Sequence, residues 1–360
     1  MIVGRPWPWH ARRMTTQHDG TSPKTKASTA LLILTVCLFA CDRSGLAFDG
    51  ERYAASLARV LEQPMGEVGV ISRPKLPRVR ELHVDIEPIN IGLLDFLLLG
   101  ECELQQIVAE QNSSLGRFAA DSRLLQHDVL FIQLAGQCIA QLPTESELAK
   151  TLEQARMEKR LHLGKRLWNA ILAGPEYRLF WQVELADYPE RIDSRVEFAL
   201  QQLDRSVTDI MQGRQTDWQS MEHSLEVLRN GEGGALLESW RIVSMQLDQA
   251  TELLTARAAR RPLCFADMVN AKAEIFRNVV LASFVGGIQK DLAVLNRRYY
   301  DLLVPIRNIE RQLESEETDQ YRRFRQQRDE MLEGARGSVN AHVAALRPLM
   351  VQCGFLPELR

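Results

Sequence analysis

Histidine, serine and the charged runs set the chemical options of this 360-residue chain, and their spacing leaves few of them open. Beyond residue 41 the histidines His83, His127, His162, His223 and His342 stand singly. No H-E-x-x-H run and no i, i+4 histidine pair occurs, so metal ligation from one helix face has no pattern behind it. Glu158 and His162 share a face, the ordinary spacing of a solvated contact. Ser72-Arg73-Pro74-Lys75 matches S-x-x-K in letters only. That chemistry needs serine at a helix start with lysine one turn on, and Pro74 in an irregular stretch denies it. Gly231-Glu232-Gly233-Gly234 has neither the preceding strand nor the lysine of a phosphate loop and reads as a helix-breaking turn. Arg322-Arg323-Phe324-Arg325 is interleaved with Glu316, Glu317, Asp319, Asp329 and Glu330, as in a salt-bridged, solvated helix. No catalytic residue, cofactor or metal ligand is assigned.

Two places could still meet a ligand. Glu110-Gln111-Asn112-Ser113-Ser114-Leu115-Gly116-Arg117 closes a strongly apolar stretch with clustered amides, hydroxyls and a glycine. Asn112 and the serines suit the capping of backbone groups at a helix end. Glu110, Asn112, Ser113, Ser114 and Arg117 are also the candidate contacts for a ligand or partner. The aromatic patch Tyr177, Phe180 and Trp181, after Gly174-Pro175, is the second candidate, suited to an envelope solute, lipid or glycan.

Location is more legible than chemistry. Leu31–Ala40 is an apolar run of signal-peptide length, preceded by Arg5, Arg12, Arg13, Lys24 and Lys26 and followed by Cys41. It is too short for a permanent span. Leu38-Phe39-Ala40-Cys41 resembles a bacterial lipobox, whose cysteine takes lipid on sulfur and becomes the first mature residue. The expected organisation is a lipoprotein signal peptide over residues 1–40, a tether from the lipidated Cys41 to residue 48, and a helical domain over 49–360. A subdivision near 175–188 is open, as are an ordinary secretory signal and a start at Met14. The protein would face the periplasm, held to the membrane by its anchor, with Asp42 tilting the choice toward the inner membrane. Past residue 40, 39 basic side chains face 46 acidic ones, a net charge of −7. That balance excludes nucleic acid as a partner and a polybasic lipid contact. Beyond Cys41 the best apolar run, Ile89–Leu99, carries Asp95 and ends at Gly100, short of membrane-spanning length.

In an oxidising compartment Cys102, Cys138, Cys264 and Cys353 are expected to form two disulfides, with three connectivities open. Cys102–Cys138 would join adjacent helices, and Cys264–Cys353 would tie the terminus back. The first pairing requires the intervening loop to absorb an axial offset of ~12 Å.

The elements that must carry these residues read as helical almost throughout: an all-α bundle of long antiparallel helices with coiled-coil-like stripes. Helices are expected from Asp49 to about Gln63, Leu93 to Glu110 and Ser122 to Gln141. Thr144 with Glu147 forms a capping box for a helix running to about Leu172, and Thr216 with Gln219 forms another. Alternation over Arg80–Ile86 predicts one short strand or hairpin near 78–90. Leu236, Trp240, Val243, Leu247, Ala250 and Leu254 alternate steps of four and three, as does the longer series from Ile288 to Leu313. Such stripes need a helix alongside. Gly286-Gly287 predicts a stop before the second stripe, and Pro305 a kink or restart within it.

Leu93-Leu94-Asp95-Phe96, Cys102-Glu103-Leu104, Asn112-Ser113-Ser114-Leu115-Gly116 and Cys138, with His342, Gln352-Cys353-Gly354 and Pro357 in the tail, resemble a bacterial envelope family catalogued as domain of unknown function 3080. The resemblance covers most of the chain beyond Cys41. It implies a lipoprotein-like envelope protein and supplies no activity, cofactor or catalytic residue. The expected function is therefore a non-enzymatic envelope lipoprotein with a protein partner or scaffold role. The alternative is a binding module for an envelope solute, lipid or glycan, and after it an enzyme acting on cell-wall material through carboxylates brought together by folding.

Overall fold

The computed structural model describes residues 46–67, 69–87, 89, 99–100, 102–143, 146–182, 193–260, 262–265 and 268–356. The expectations for the signal segment, Cys41, Leu93–Phe96, Thr144 and the later half of the 175–188 boundary lie outside the described residues. In chain order the helices are α1 (Leu46–Leu61), α2 (Val79–Leu82), α3 (Leu104–Asn112), α4 (Asp121–Ile139), α5 (Glu147–Leu161), α6 (Leu163–Ile171) and α7 (Pro175–Phe180). They continue as α8 (Ser194–Met211), α9 (Trp218–Val227), α10 (Glu232–Ala258), α11 (Ala271–Val279), α12 (Gln289–Gln312) and α13 (Asp319–Gln352). No strand occurs among the described residues.

The stripe on α10 explains the centre of the fold. Leu236, Trp240, Val243, Leu247, Ala250 and Leu254 are all buried, packed chiefly by α13 and α1. α13 runs parallel to α10: Ser244 meets Ser338 at 2.9 Å and Thr251 meets His342 at 3.2 Å. α12 returns antiparallel, with Arg336 donating to the Tyr300 hydroxyl at 2.8 Å and Arg307 to Asp329 at 3.1 Å. Its stripe buries Leu292, Leu295, Tyr299, Leu302, Ile306 and Ile309. α8 lies along it, where Asp204 accepts from Asn308 and Gln312. A separate, smaller core joins Leu104 and Val108 of α3, Phe131 and Ala135 of α4, and Leu148, Leu152 and Ala155 of α5.

Several local expectations are corrected. The strand or hairpin near 78–90 is absent from the described part of that range. Val79–Leu82 forms a single helical turn, and the chain after it pairs with side chains: Asn169 both donates to and accepts from the Val84 backbone, at 2.8 and 2.9 Å. The Trp168 indole donates to Leu82 O at 2.8 Å. With their hydrogen bonds taken this way, these residues need no neighbouring strand. The cap of α5 is Ser146, whose Oγ accepts from Ala149 N, and that of α9 is Asp217, which accepts from Ser220 N. The helix expected to run to Leu172 breaks at His162, which ends α5 and precedes α6 with φ −90° and ψ 0°. Gly286-Gly287 does not stop the chain: Val280–Ile288 widens into a π-helix and passes straight into α12, which also runs through Pro305. Ala271–Gln312 is thus one 42-residue rod, long and apolar enough by length and composition to pass as a membrane span, which the reading of Ile89–Leu99 as the best such segment missed.

The four downstream cysteines lie at disulfide distance in two pairs. Cα separations are 6.1 Å for Cys102–Cys138 and 5.1 Å for Cys264–Cys353, within the range a disulfide accepts. The expected helix from Leu93 through Cys102 to Glu110 is corrected, since Leu99 and Gly100 form a turn and Cys102 precedes α3; the first pair therefore ties a turn, not a second helix, to α4, with residues 113–120 and the 3₁₀ turn Gly116–Phe118 linking α3 to α4.

Candidate functional site

The smaller core carries a charge where its pattern calls for an apolar side chain. On α4 the buried positions Leu125, Asp128, Ile132 and Ala135 follow one helical face, and Asp128 is only 2% exposed. On α5 the buried series Leu148, Leu152, Ala155 continues one step further to Lys159. Lys159 Nζ and the Asp128 carboxylate form a buried ion pair through Oδ1. Arg166 Nε donates to Oδ2 at 2.6 Å from α6. The break at His162 makes this possible, because it lets two successive helices bring their cations to one carboxylate. Lys159 Nζ also lies 5.0 Å from the centre of the Phe131 ring. A carboxylate removed from water this far is tolerable only with partners on both oxygens.

These groups form one wall of a cavity of about 350 Å³. Phe131 and His162 share that wall, and Val108, Gln111, Asn112 and Gly116 form another. His162 Nδ1 is buried with no hydrogen-bond partner among the described residues. Nearby, His127 is buried on α4, its Nε2 3.9 Å from Glu110. Burial, and then repulsion from Arg123, lowers its pKa, with Glu110 and Asp128 opposing. The imidazole therefore favours its neutral form. The site presents the Asp128-paired cations of Lys159 and Arg166, the Gln111 and Asn112 amides and the Glu87 carboxylate to a small polar molecule.

The candidate contacts from the 110–117 segment divide. Asn112, the last residue of α3, is exposed and lines the cavity. Glu110 accepts from Gln106 at 3.1 Å and stands beside His127. Ser113 is a cap: its hydroxyl donates to Glu110 O at 2.7 Å and accepts from Gly116 N at 3.0 Å. Ser114 is exposed beyond it, and Arg117 sits in the 3₁₀ turn. A side chain at Gly116 would collide with the Glu110 and Gln111 carbonyl oxygens, so the turn needs glycine. Asp128, Lys159 and Arg166 were not among the candidates. The available signal was an acid and a base each occupying an apolar stripe on neighbouring helices.

The aromatic patch is corrected more sharply. Tyr177, Phe180 and Trp181 are 1, 0 and 3% exposed and form no surface. Trp181 packs on Arg328, itself fully buried, whose guanidinium lies 5.6 Å from the Trp181 ring and 5.9 Å from that of Phe324. Arg328 donates to Glu310 at 2.6 and 3.1 Å and to Asp329 at 3.0 and 3.2 Å. Tyr321 donates to the same Glu310 at 2.7 Å, and its hydroxyl meets that of Tyr177 at 2.9 Å. Burial, reinforced by Glu310, holds the Tyr321 phenol well above its usual range. This network is matched internally. The basic run of α13 is likewise spent on acids, Arg322 and Arg325 both pairing with Glu317.

A family model described as Protein of unknown function (DUF3080) matches residues 50–357. No curated protein and no solved structure gives a match.

Proposed function

Because the chain belongs to this family, whose description names no activity, we propose its role from its own residues: a lipid-anchored protein of the cell envelope that works by binding an envelope protein partner. The observation that carries this reading is the meeting of all four downstream cysteines in two pairs, one 36 and the other 89 positions apart in the chain. Such pairs stabilise a domain only where thiols are oxidised, outside the cytosol. That agrees with a signal peptide ending at Ala40 and acylation of Cys41, whose lipid chains would hold the domain at the membrane. Metabolic labelling with a fatty-acid probe should mark the wild type and not Cys41→Ala; label that survives the substitution removes the anchor. Cross-linking in cells should recover a reproducible partner, and a clean monomer removes the partner.

One observation favours a second reading, a solute-binding module: the cavity beside Asp128, Lys159 and Asn112. A small polar envelope solute would meet cations and amides there. Its signature is a rise in Tm of the wild type that Asn112→Leu abolishes, and a shift of equal size in both proteins rejects the site.

A further inference from the structure

Resting on the Cys41 anchor proposed above, we propose that the outer side of the Ala271–Gln312 rod is a bilayer-docking face, lying flat on the lipid surface and fixing the orientation of the domain. The inner side of the rod is accounted for. Ala273, Phe276, Val280, Phe284 and Ile288 are buried, with the Phe284 ring stacked 5.8 Å from Tyr53 of α1. The outer side is open and apolar between Asn278 and Gln289: Leu281 and Val285 are 48 and 43% exposed, with Ala282 and Gly286 exposed beside them, while Ile275, 53% exposed, lies before that stretch and next to the exposed Glu274. From Asn278 to Gln289 the rod carries no charge, and the exposed Arg277 and Lys290 bracket that stretch. Only 28% of its most apolar window is buried inside the fold, whereas a core helix of such composition would be mostly covered. An apolar strip bracketed by bases suits the membrane interface, where a basic stem lies along hydrocarbon while its head meets phosphate; Lys290 is placed for this, whereas the Arg277 guanidinium stands 5.1 Å from the centre of the Phe355 ring.

The extent of the uncharged stretch, not the length of the rod, decides between crossing and lying flat. Twelve uncharged residues cover ~18 Å at 1.5 Å each, against ~30 Å of hydrocarbon. Covalent connection decides the occupant. α1 runs antiparallel to the rod, with Lys272 paired to Glu62 at one end and Tyr53 on Phe284 further along. The beginning of α1 therefore lies toward the Ile288 end of the uncharged stretch. Cys41 precedes Leu46 by five residues, a reach of ~17 Å when fully extended. An acylated Cys41 keeps lipid headgroups within that reach of the helix that backs the Leu281–Val285 face.

The test uses the full acylated protein, reconstituted in vesicles of phosphatidylethanolamine and phosphatidylglycerol, with an environment-sensitive dye on Val285→Cys. The dye should shift to the blue and be quenched by nitroxide-labelled lipids. The same dye on Glu226→Cys, a position 76% exposed on α9, should do neither. A dye at 285 that stays in water while the protein floats with the vesicles overturns docking and leaves the anchor standing. Failure to float overturns the anchor. A blue shift without quenching means that protein covers the face, and a shift at both positions means that the face is not selective; each overturns docking. Adding Leu281→Asp should lower the docked fraction roughly tenfold, and an unchanged fraction with an unchanged melting curve also overturns it.

Discussion

Arg328 in the main core and Asp128 in the smaller one are both buried charges held by two partners, yet their surroundings differ. Arg328 lies among Trp181, Phe324 and Tyr321, and both acids it needs come from nearby turns of α12 and α13. Asp128 draws its partners from two helices that meet at a break, and its pair opens onto a cavity. A charge sealed in aromatic packing has no route to a ligand and serves the fold. A charge beside a cavity can exchange part of its pairing for a ligand or water. The two regions are built from the same elements, amphipathic helices with matched ions, and they divide the work of holding the fold and presenting a site.

Arg328→Met should produce the largest effect, a loss of about 3–5 kcal/mol in chemical denaturation, because Glu310 stays buried without its cation. Next comes pH. Burial lowers the His342 pKa from its ordinary 6.5 to about 4, where it accepts from the Tyr53 hydroxyl or donates to it at 3.0 Å. The unfolded chain then binds the extra proton between those values. Stability should therefore fall as pH drops from about 6.5 toward about 4, by roughly 3 kcal/mol in total. Denaturation midpoints across that window, compared with those of His342→Gln, check the sign, and a flat wild-type profile refutes it. Asp128→Asn should cost about 2 kcal/mol, less than Arg328→Met, since the cavity lets water reach Lys159 and Arg166. Equal losses from the two substitutions would break the comparison between the regions. Ser146→Ala, which removes only the cap of α5, should lower the melting point by an amount matching about 1 kcal/mol.

The long-helix plan was legible because Leu236–Leu254 and Ile288–Leu313 keep a strict stripe, and burial follows that stripe residue by residue. Caps were legible to within one or two positions, since Ser146 and Asp217 stand close to threonines with equal capping chemistry. The aromatic patch misled for a different reason. Tyr177 follows a Gly-Pro break that suggests a surface turn, but its partner Tyr321 is 144 residues away, beyond any local pattern. The candidate segment 110–117 was half legible. Ser113 obeys the capping rule, whereas the cavity that Asn112 faces depends on Lys159 and Arg166 converging from a break at His162 that only Gly164, with no proline near it, marks in the sequence.

The parallel pairing of α10 with α13 has a temporal consequence. Its contacts join residues 91 and 94 positions apart, and the Tyr53 hydroxyl waits for His342, 289 positions later. A chain emerging amino-terminus first cannot close its main core until its final helix has been synthesised, whereas the smaller core of α3, α4 and α5 has all its residues by the end of α5. Loss of that last segment would leave the central helix bare, and a ribosome stalled before it would release a chain whose main core is unfinished.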